Sequence, residues 1–286
     1  MKGQHLKNFL PRDLSRALGK MKRRLQSRLT LTSKQKECLL KSETITSEQR
    51  ELLTATSSRI FSEDRMYTGN GEHYFRVGLS AIHCIDEALR RAATDSPRRI
   101  LGMPCGGGRV LRFLVARFPK SKFTACDVDR KLVDFCAREF GANPVYSQSN
   151  FDEVTFAEPF DLIWCGSLVT HLNRDGIVSL WKLFDRHLRP GGLVVFTTHG
   201  DYVAERIPRR EFDYLLTKEQ TDRIGLPYAE AGYGFEAYEG LKDWGVSLTS
   251  RAWIRARIAE LGGWREVYFK PRGWDDHQDV FAFVRE

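Results

Sequence analysis

The sequence predicts an α/β fold in which a doubly wound, mostly parallel sheet of seven strands is covered by helices. Between residues 97 and 200, short apolar runs alternate with amphipathic helical segments. Strands buried on both faces read as continuous apolar runs, so this alternation favours a parallel sheet with helices on both sides. Two later apolar runs, 264–270 and 280–285, are joined by a short connection that suits an antiparallel last strand.

Each element of this pattern has a local signal. Strands are predicted at Ile100–Met103, Phe123–Asp127, Pro144–Tyr146, Asp161–Cys165 and Leu193–Thr198. Helices are predicted where apolar residues recur every three or four positions, at 79–93, 110–118, 130–140, 172–188 and 250–261. Asp129 is a suitable N-cap for the helix at 130–140, and Arg189-Pro190-Gly191-Gly192 ends the helix at 172–188.

Other segments depart from the alternation. Residues 37–60 are polar and predict a linker or a loosely attached helix, and residues 61–78 predict a structured loop. We therefore expect an arm and linker at 1–60 and a main domain at 61–286. Within that domain we expect a ligand-binding core at 97–200 and an insertion or lid at 201–247, where the alternation stops.

The formal net charge of +8 is concentrated at the N-terminus. Residues 1–36 contain eleven Lys or Arg and one acid, a net +10, so residues 37–286 carry −2. Apolar residues at 14, 18, 21, 25 and 29 predict a basic amphipathic helix. Such a helix can bind an anionic membrane surface, nucleic acid or acidic protein, and its composition also suits a transit peptide or a solvated tail. We favour the membrane surface, because the near-neutral body argues against nucleic acid.

Composition also limits the compartment. The six cysteines include no Cys-x-x-Cys pair, which disfavours a zinc site and favours a reducing environment. No run approaches the ~20 apolar residues of a membrane span, and the first thirty residues lack the apolar core of a secretory signal. The sequence predicts a cytoplasmic protein, with a peripheral membrane location left open by the arm.

A glycine-rich turn and an acid predict a nucleotide-like ligand. Pro104-Cys105-Gly106-Gly107-Gly108-Arg109 follows the first predicted strand, and Asp127 ends the second. In a doubly wound sheet such a ligand lies at this turn, and a carboxylate after the second strand can accept hydrogen bonds from ribose hydroxyls. Leu111 stands at the third small position of the dinucleotide fingerprint, and no Gly-Lys-Ser/Thr is present, so NAD, ATP and GTP are disfavoured.

Together with later segments, these residues resemble the class I S-adenosylmethionine-dependent methyltransferases. The matching stretches are 100–109 (ILGMPCGGGR), 126–129 (CDVD), 160–164 (FDLIW) with Ser167 and His171 beyond it, and 188–193 (LRPGGL). The resemblance implies S-adenosylmethionine as cofactor and methyl transfer as activity. It is specific for fold and cofactor and does not identify the acceptor.

The resemblance also implies cofactor contacts by position. Gly106 and Gly108 face the methionine part, Asp127 the ribose and Val128 the adenine, while the other implied contacts are Gly102, Pro104, Cys105, Asn150 and Phe151 (both at the adenine), and Gly166 and Ser167 (both near the methyl group). The family often has an acid at the position of Gly102 and a glycine at that of Pro104. The missing acid leaves open whether another acid, or Tyr67 or Tyr74, recognises the cofactor's amino group.

Three histidines are the predicted catalytic candidates. Methyl transfer to a hydroxyl requires an aligned nucleophile and a group that accepts its proton, and histidine titrates in the useful range. His171 follows the fourth strand, His199 follows the fifth and His277 precedes the last, and we expect His171 or His277 to be the base. Each has a structural alternative: helix packing for His171, a turn hydrogen bond for His199 and a hairpin anchor with Asp275 for His277.

Other chemistries receive less support. His73 is predicted to be structural, and the acids around His277 are more typical of a solvated turn than of a metal site, so no metal is predicted. The aromatic residues of 200–247 suit either a lid over a planar or sugar-like acceptor or local packing of the insertion.

The sequence thus predicts methyl transfer from S-adenosylmethionine to an oxygen, and as second choice a nitrogen, of a small molecule or glycan. Two alternatives stay open. One is a non-catalytic S-adenosylmethionine-binding module, suggested by Gly102. The other is a nucleic-acid methyltransferase that uses the basic arm, although Cys165-Gly166-Ser167-Leu168 lacks the Asn-Pro-Pro-Tyr-like signature of base methylation.

Overall fold

A computed structural model describes residues 32–286, and the predicted amphipathic helix of the arm lies outside these residues. The main sheet has seven strands in the order β3-β2-β1-β4-β5-β9-β8. Its strands are β1 (Arg99–Gly102), β2 (Lys122–Asp127), β3 (Asn143–Tyr146), β4 (Phe160–Cys165), β5 (Leu188–Thr198), β8 (Trp264–Trp274) and β9 (Gln278–Arg285). A separate hairpin pairs β6 (Tyr233–Ala237) with β7 (Gly245–Thr249).

Helices cover both faces of the main sheet. They are α1 (residues 32–41), α2 (Ser47–Ala55), α3 (Gly71–Ala92), α4 (Leu111–Arg117), α5 (Arg130–Phe140), α6 (Arg174–His187), α7 (Asp201–Ala204), α8 (Lys218–Ala231) and α9 (Arg251–Ala259). One apolar cluster packs the five helices α1–α5 against one face of the sheet. A second cluster packs α6 and α9 against the other face. This double burial is why the strands read as continuous apolar runs.

The predicted fold class is confirmed. β1 pairs in parallel with β2 and β4, and β4 pairs in parallel with β5. β9 is antiparallel to both β5 and β8. The carboxyl ends of β1, β2, β4 and β5 therefore meet at one edge of the sheet, called here the carboxyl edge.

Residues 37–60, predicted as a linker or a loosely attached helix, include the end of α1 and all of α2, which packs against α3 and α4. Leu39 and Leu53 are fully buried, and together with Ile45 and Ile60 they belong to the first apolar cluster. Helix α2 begins with a capping box between Thr46 and Gln49. Few apolar residues occur in this stretch, which is why its sequence looks solvated, but four of them are buried and both Leu40 and Leu52 are partly buried.

The first long helix begins earlier than predicted. α3 starts at Gly71, inside the expected loop 61–78, where the Asn70 side chain accepts a hydrogen bond from the His73 backbone N–H at 3.0 Å. Gly78 lies within this helix. The position requires glycine, because a Cβ there would stand 2.2 Å from the Phe113 ring. The three glycines of 61–78 made the segment look like a loop, although Gly78 serves helix packing.

Residues 201–249 form α7, α8 and the β6–β7 hairpin beside the carboxyl edge. A small apolar cluster of their own, including Val203, Ile224 and Leu248, joins these elements. Backbone bonds tie the hairpin to the main sheet, including Thr249 N–H to the His199 carbonyl at 2.9 Å. No helix within residues 32–286 is long and apolar enough to span a membrane.

Candidate functional site

The three glycines after β1 face different surroundings. Gly106 has a φ of +49°, and a Cβ on it would meet no atom within 4 Å. A Cβ on Gly107 would stand 2.2 Å from Asp64 Oδ2, and one on Gly108 would stand 2.3 Å from the Phe140 ring. Gly106 therefore borders open space, while Gly107 and Gly108 allow close packing by other side chains.

Asp127 lies beside Gly106 at the end of β2. Its side chain is only 8% exposed, and its two oxygens accept the Gly106 N–H at 2.9 Å and the Asp129 N–H at 3.1 Å. Burial raises the pKa of this carboxyl, although the backbone bonds act in the opposite direction. Each carboxylate oxygen can accept a further hydrogen bond. Val128, next in sequence, is 65% exposed, so an apolar surface adjoins the acid. This set fits a ribose and an adenine ring.

Other predicted cofactor contacts have roles inside the protein. Gly102 is buried in β1, and Pro104 is half-buried. The Cys105 N–H bonds to the Cys126 carbonyl at 2.9 Å. Asn150 caps the short turn that follows it, and Phe151 is buried in the second apolar cluster. The side chains of Asn150 and Phe151 are thus already engaged, and Val128 is the exposed apolar neighbour of Asp127.

A buried arginine ties the N-terminal segment to the glycine turn. Arg112 is 1% exposed, and its guanidinium donates to the carbonyls of Ser57, Arg59, Gly107 and Gly108 at 2.8 to 3.3 Å. It also donates to the hydroxyl of Tyr74. Tyr74 is itself fully buried and donates to Asp64 at 2.7 Å. Sequence reasoning overlooked Arg112, because nothing local distinguishes it from a solvated arginine on a helix.

The loop after β4 is held by a ring of polar side chains. The Ser167 N–H donates to Thr197 Oγ1 at 2.8 Å, Thr197 donates to Gln278, and Gln278 donates back to Ser167 Oγ at 2.8 Å. Ser167 has a φ of +62°, a conformation that costs energy outside glycine and clusters at functional sites. Gly166 packs closely, because a Cβ on it would stand 3.0 Å from both Trp164 and Trp274.

His171 follows this loop and has a defined tautomer. Its Nδ1 lies 2.9 Å from the Gly245 carbonyl oxygen, which can only accept, so Nδ1 carries the proton. Its ring stacks on Trp244 with centroids 4.9 Å apart. Burial lowers its pKa, and the bond to Gly245 acts in the opposite direction. At neutral pH, Nε2 therefore offers a lone pair.

His199 and His277 share an aromatic cluster. Their ring centroids are 5.8 Å apart. The Tyr214 ring is tilted against that of His199 with centroids 4.7 Å apart, and its hydroxyl lies 2.5 Å from His277 Nε2. His199 is 2% exposed, and its Nδ1 has no hydrogen-bond partner within residues 32–286. Burial, followed by the charges of His277 and His171, lowers the pKa of His199 well below its usual value. Burial likewise lowers the pKa of His277.

The structure thus brings the three predicted histidines together at the carboxyl edge. His199 lies near enough to both other rings for their charges to act on it. Aromatic side chains from the 201–249 segment enclose the group: Tyr202 and Phe212 pack near His277, and Tyr238 packs near His171. Asp275 Oδ2 lies 3.5 Å from His73 Nε2, and its charge also acts on His277. Among the described residues, no group of His, Cys, Asp or Glu is arranged to hold a metal ion.

Comparison with known proteins agrees with this geometry. Residues 100–192 match the family model described as a methyltransferase domain. The chain is 25% identical over 154 residues to a malonyl-[acyl-carrier protein] O-methyltransferase of Halalkalibacterium halodurans, covering 51% of this chain and 55% of that protein. It is 27% identical over 164 residues to alpha N-terminal protein methyltransferase 1 of Caenorhabditis elegans, covering 50% and 70% respectively. The chain therefore spans about half the length of the first of these relatives.

A solved structure shares the fold. An S-adenosylmethionine-dependent methyltransferase from Clostridium acetobutylicum superposes with a TM-score of 0.50 at 13% identity, covering 72% of this chain and 91% of that one. The matched residues 100–192 contain Gly106 with the open space beside it, the buried Asp127 and His171. This part of the chain is therefore a methyltransferase domain of the class I, S-adenosylmethionine-dependent family.

Proposed function

We propose that this chain transfers a methyl group from S-adenosylmethionine to an oxygen of a small molecule or glycan. The observation that carries the proposal is the meeting of His171, His199 and His277 at the carboxyl edge, beside Ser167 and Gly166. The name of one relative specifies an O-methyltransferase and that of another an N-terminal protein methyltransferase, so nitrogen is the second choice.

The cofactor end of the site is assigned to residues around Gly106. Asp127 would accept hydrogen bonds from the ribose hydroxyls, Val128 would cover the adenine, and the open space at Gly106 would admit the chain between ribose and methionine. Gly166 and Ser167 would border the methyl group, because their loop connects this end to the histidines.

S-adenosylmethionine, when bound, supplies an activated methyl on a sulfonium that a nucleophile displaces in line. The protein then has to align the acceptor and remove its proton. His171 is the proposed base, since the Gly245 carbonyl fixes the proton on Nδ1 and leaves Nε2 as the acceptor. His277 is the alternative base, although the Tyr214 hydroxyl occupies its Nε2.

The 201–249 segment is proposed to be the lid of the acceptor site. Tyr202, Phe212, Tyr214, Tyr238 and Trp244 present ring faces around the histidines. Aromatic faces suit planar rings and the apolar faces of sugars. Closing such a lid would exclude water from the reacting groups.

The test begins with calorimetric titration of the purified protein with S-adenosylmethionine, followed by detection of S-adenosylhomocysteine with panels of phenols, sugars and amines. His171→Gln should lower kcat by roughly 10²- to 10⁴-fold with an unchanged cofactor Kd, because loss of a general base affects the chemical step. The wild-type rate should fall on the acid side as His171 becomes protonated, with the midpoint below about 6.5 because burial lowers its pKa.

The outcomes separate the alternatives. No cofactor binding at millimolar ligand would refute the proposal. Binding without turnover on any acceptor would favour the non-catalytic module. Turnover on RNA or DNA with a strong salt dependence would favour the nucleic-acid enzyme.

The basic arm is proposed to hold the domain near an anionic membrane surface in the cytoplasm. The arm should be removed by deleting residues 1–31, because Thr32 is buried and Gln35 bonds to Gly69 and to the Gly71 N–H. Deletion should abolish sedimentation with phosphatidylserine vesicles and leave cofactor binding unchanged. Equal sedimentation of the two proteins would contradict the arm's role.

A further inference from the structure

Arg109 is a cation without a partner at the glycine turn. It follows Gly108 directly, and burial lowers the pKa of its guanidinium. Within residues 32–286 it makes no hydrogen bond and has no carboxylate oxygen within 4 Å, in contrast with Arg112 three positions later. Enclosing a charge without a partner is costly, so such a group is a candidate for binding an anion.

The position of Arg109 is set by a tryptophan. Its guanidinium lies 5.5 Å from the centre of the Trp274 ring. Trp274 in turn packs edge-on against Trp164 with centroids 5.4 Å apart, and both rings border Gly166. Arg109 is thus linked through one ring to the loop after β4. This places it on the side of the glycine turn that faces Gly166, where the methionine end of the cofactor would lie.

Two carboxylates come from other segments to the same place. Asp64 is 5% exposed and lies against Gly107, where it accepts the Tyr74 hydroxyl at 2.7 Å and the Met66 N–H at 2.9 Å. Asp275 is half-buried, and its charge acts on Arg109 together with that of Asp64. Neither carboxylate contacts the Arg109 guanidinium. The three groups together match a ligand that carries one anionic and one cationic group.

We propose that Arg109 binds the α-carboxylate of the cofactor's methionine end, with Asp64 and Asp275 balancing its α-ammonium group. The inference rests on the proposed function, because it presumes that S-adenosylmethionine is the cofactor. It assigns recognition of the amino-acid end to residues outside β1, where Gly102 offers no side chain. The competing explanation is that Arg109 only supports Trp274 through ring contact.

The test compares two ligands that differ by one carboxylate. Arg109→Met retains most of the aliphatic stem, and its affinity is measured by calorimetry for S-adenosylmethionine and for decarboxylated S-adenosylmethionine. Loss of a charge-assisted bond should weaken S-adenosylmethionine binding roughly 10- to 100-fold, while binding of the decarboxylated ligand changes by less than about threefold. Arg109→Lys, which retains the charge but not the planar fork, should fall between wild type and Arg109→Met.

Thermal melting without ligand supplies an independent readout. Removing an unpaired, enclosed cation should leave the Tm of Arg109→Met equal to or above that of wild type. Arg112→Met is the matched control: its bonds serve the fold, so its Tm should fall and both ligands should weaken equally. Equal weakening of the two ligands by Arg109→Met, or a lowered Tm with an unchanged ratio, would overturn the assignment and leave the proposed function intact. Failure of the wild type to bind either ligand would instead refute the proposed function and this inference together.

Discussion

The two ends of the carboxyl edge differ in how their buried polar atoms are satisfied. At the cofactor end, Asp127 accepts backbone N–H groups with both oxygens, and Arg112 donates to four carbonyls and a hydroxyl. At the end around His199, which is the proposed acceptor end, three atoms are buried without a partner among the described residues: Thr198 Oγ1, His199 Nδ1 and Thr249 Oγ1. Apart from Arg109, these buried polar groups at the first end are satisfied within the protein, whereas those at the second end are not.

This difference indicates which end is preformed. Buried polar groups are normally hydrogen-bonded, and an unmet one costs free energy. The unpartnered atoms at the proposed acceptor end are therefore candidates for hydrogen bonds to ordered water or to a ligand. Arg109 is the exception at the cofactor end, and the same reasoning assigns it a ligand.

The largest change in stability is expected when the hydrogen bonds of Arg112 are removed. Arg112→Met should lower the free energy of unfolding by about 3 kcal/mol, because it removes a buried guanidinium that donates to four carbonyls. Urea denaturation followed by tryptophan fluorescence measures this. A change below about 1 kcal/mol would mean that water replaces the guanidinium and that the glycine turn is less fixed than we infer.

A smaller effect is expected from the buried histidine of the acceptor end. His199 is neutral when folded, and its pKa is far below that of the unfolded chain, so protonation favours unfolding. Its contribution is fully present above about pH 6.5 and is lost as the pH falls below that value, by up to about 1.4 kcal/mol per pH unit. Denaturation of wild type and His199→Phe at pH 7.5 and 5.5 provides the measurement.

His199→Phe should remove part of this acid sensitivity and leave the rest. The buried rings of His171 and His277, whose pKa values are also lowered, contribute in the same direction. Identical pH dependence in the variant and in wild type would show that His199 is not held neutral in the folded protein.

The smallest expected effect concerns the bond between the lid and the site. Tyr214→Phe removes the hydroxyl that meets His277 Nε2 and should cost about 1 kcal/mol in unfolding free energy. Tyr146→Phe is the control, because its hydroxyl bonds to Asp134 at the exposed surface. If the two variants lose equal stability, the Tyr214–His277 bond does not fasten the lid.

Sequence patterns predicted one end of the edge better than the other. The positions of the strands, the glycine turn and Asp127 follow from local signals, because apolar runs define strands and the turn and the acid directly follow two of them. The meeting of His171 with Gly245 could not be predicted, since 74 positions separate them and the hairpin that joins them has no counterpart in the alternating pattern. Arg109 and Asp64 stand 45 positions apart and meet only through the packing of the N-terminal segment on the glycine turn.

The errors have a common physical cause. Residues 37–60 and the start of α3 carry few apolar side chains, and propensity treats them as solvated or flexible. Leu39, Leu53 and Gly78 nevertheless occupy fully packed positions. Burial of a few residues at the right places outweighs average composition, which a pattern summed over a window cannot detect.

The central claim is that the carboxyl edge binds S-adenosylmethionine with Asp127 on the ribose. Calorimetric titration of wild type and Asp127→Asn with S-adenosylhomocysteine tests it most directly. The account predicts saturable one-site binding to wild type and a roughly 10- to 100-fold weaker Kd for the variant, because a charged acceptor of two hydroxyl bonds is lost. Its ligand-free stability should fall by about 1 kcal/mol, because the Asn amide nitrogen cannot accept one of the two backbone N–H bonds that Asp127 accepts from Gly106 and Asp129. Equal affinity of the two proteins, or no binding by wild type, would contradict the account.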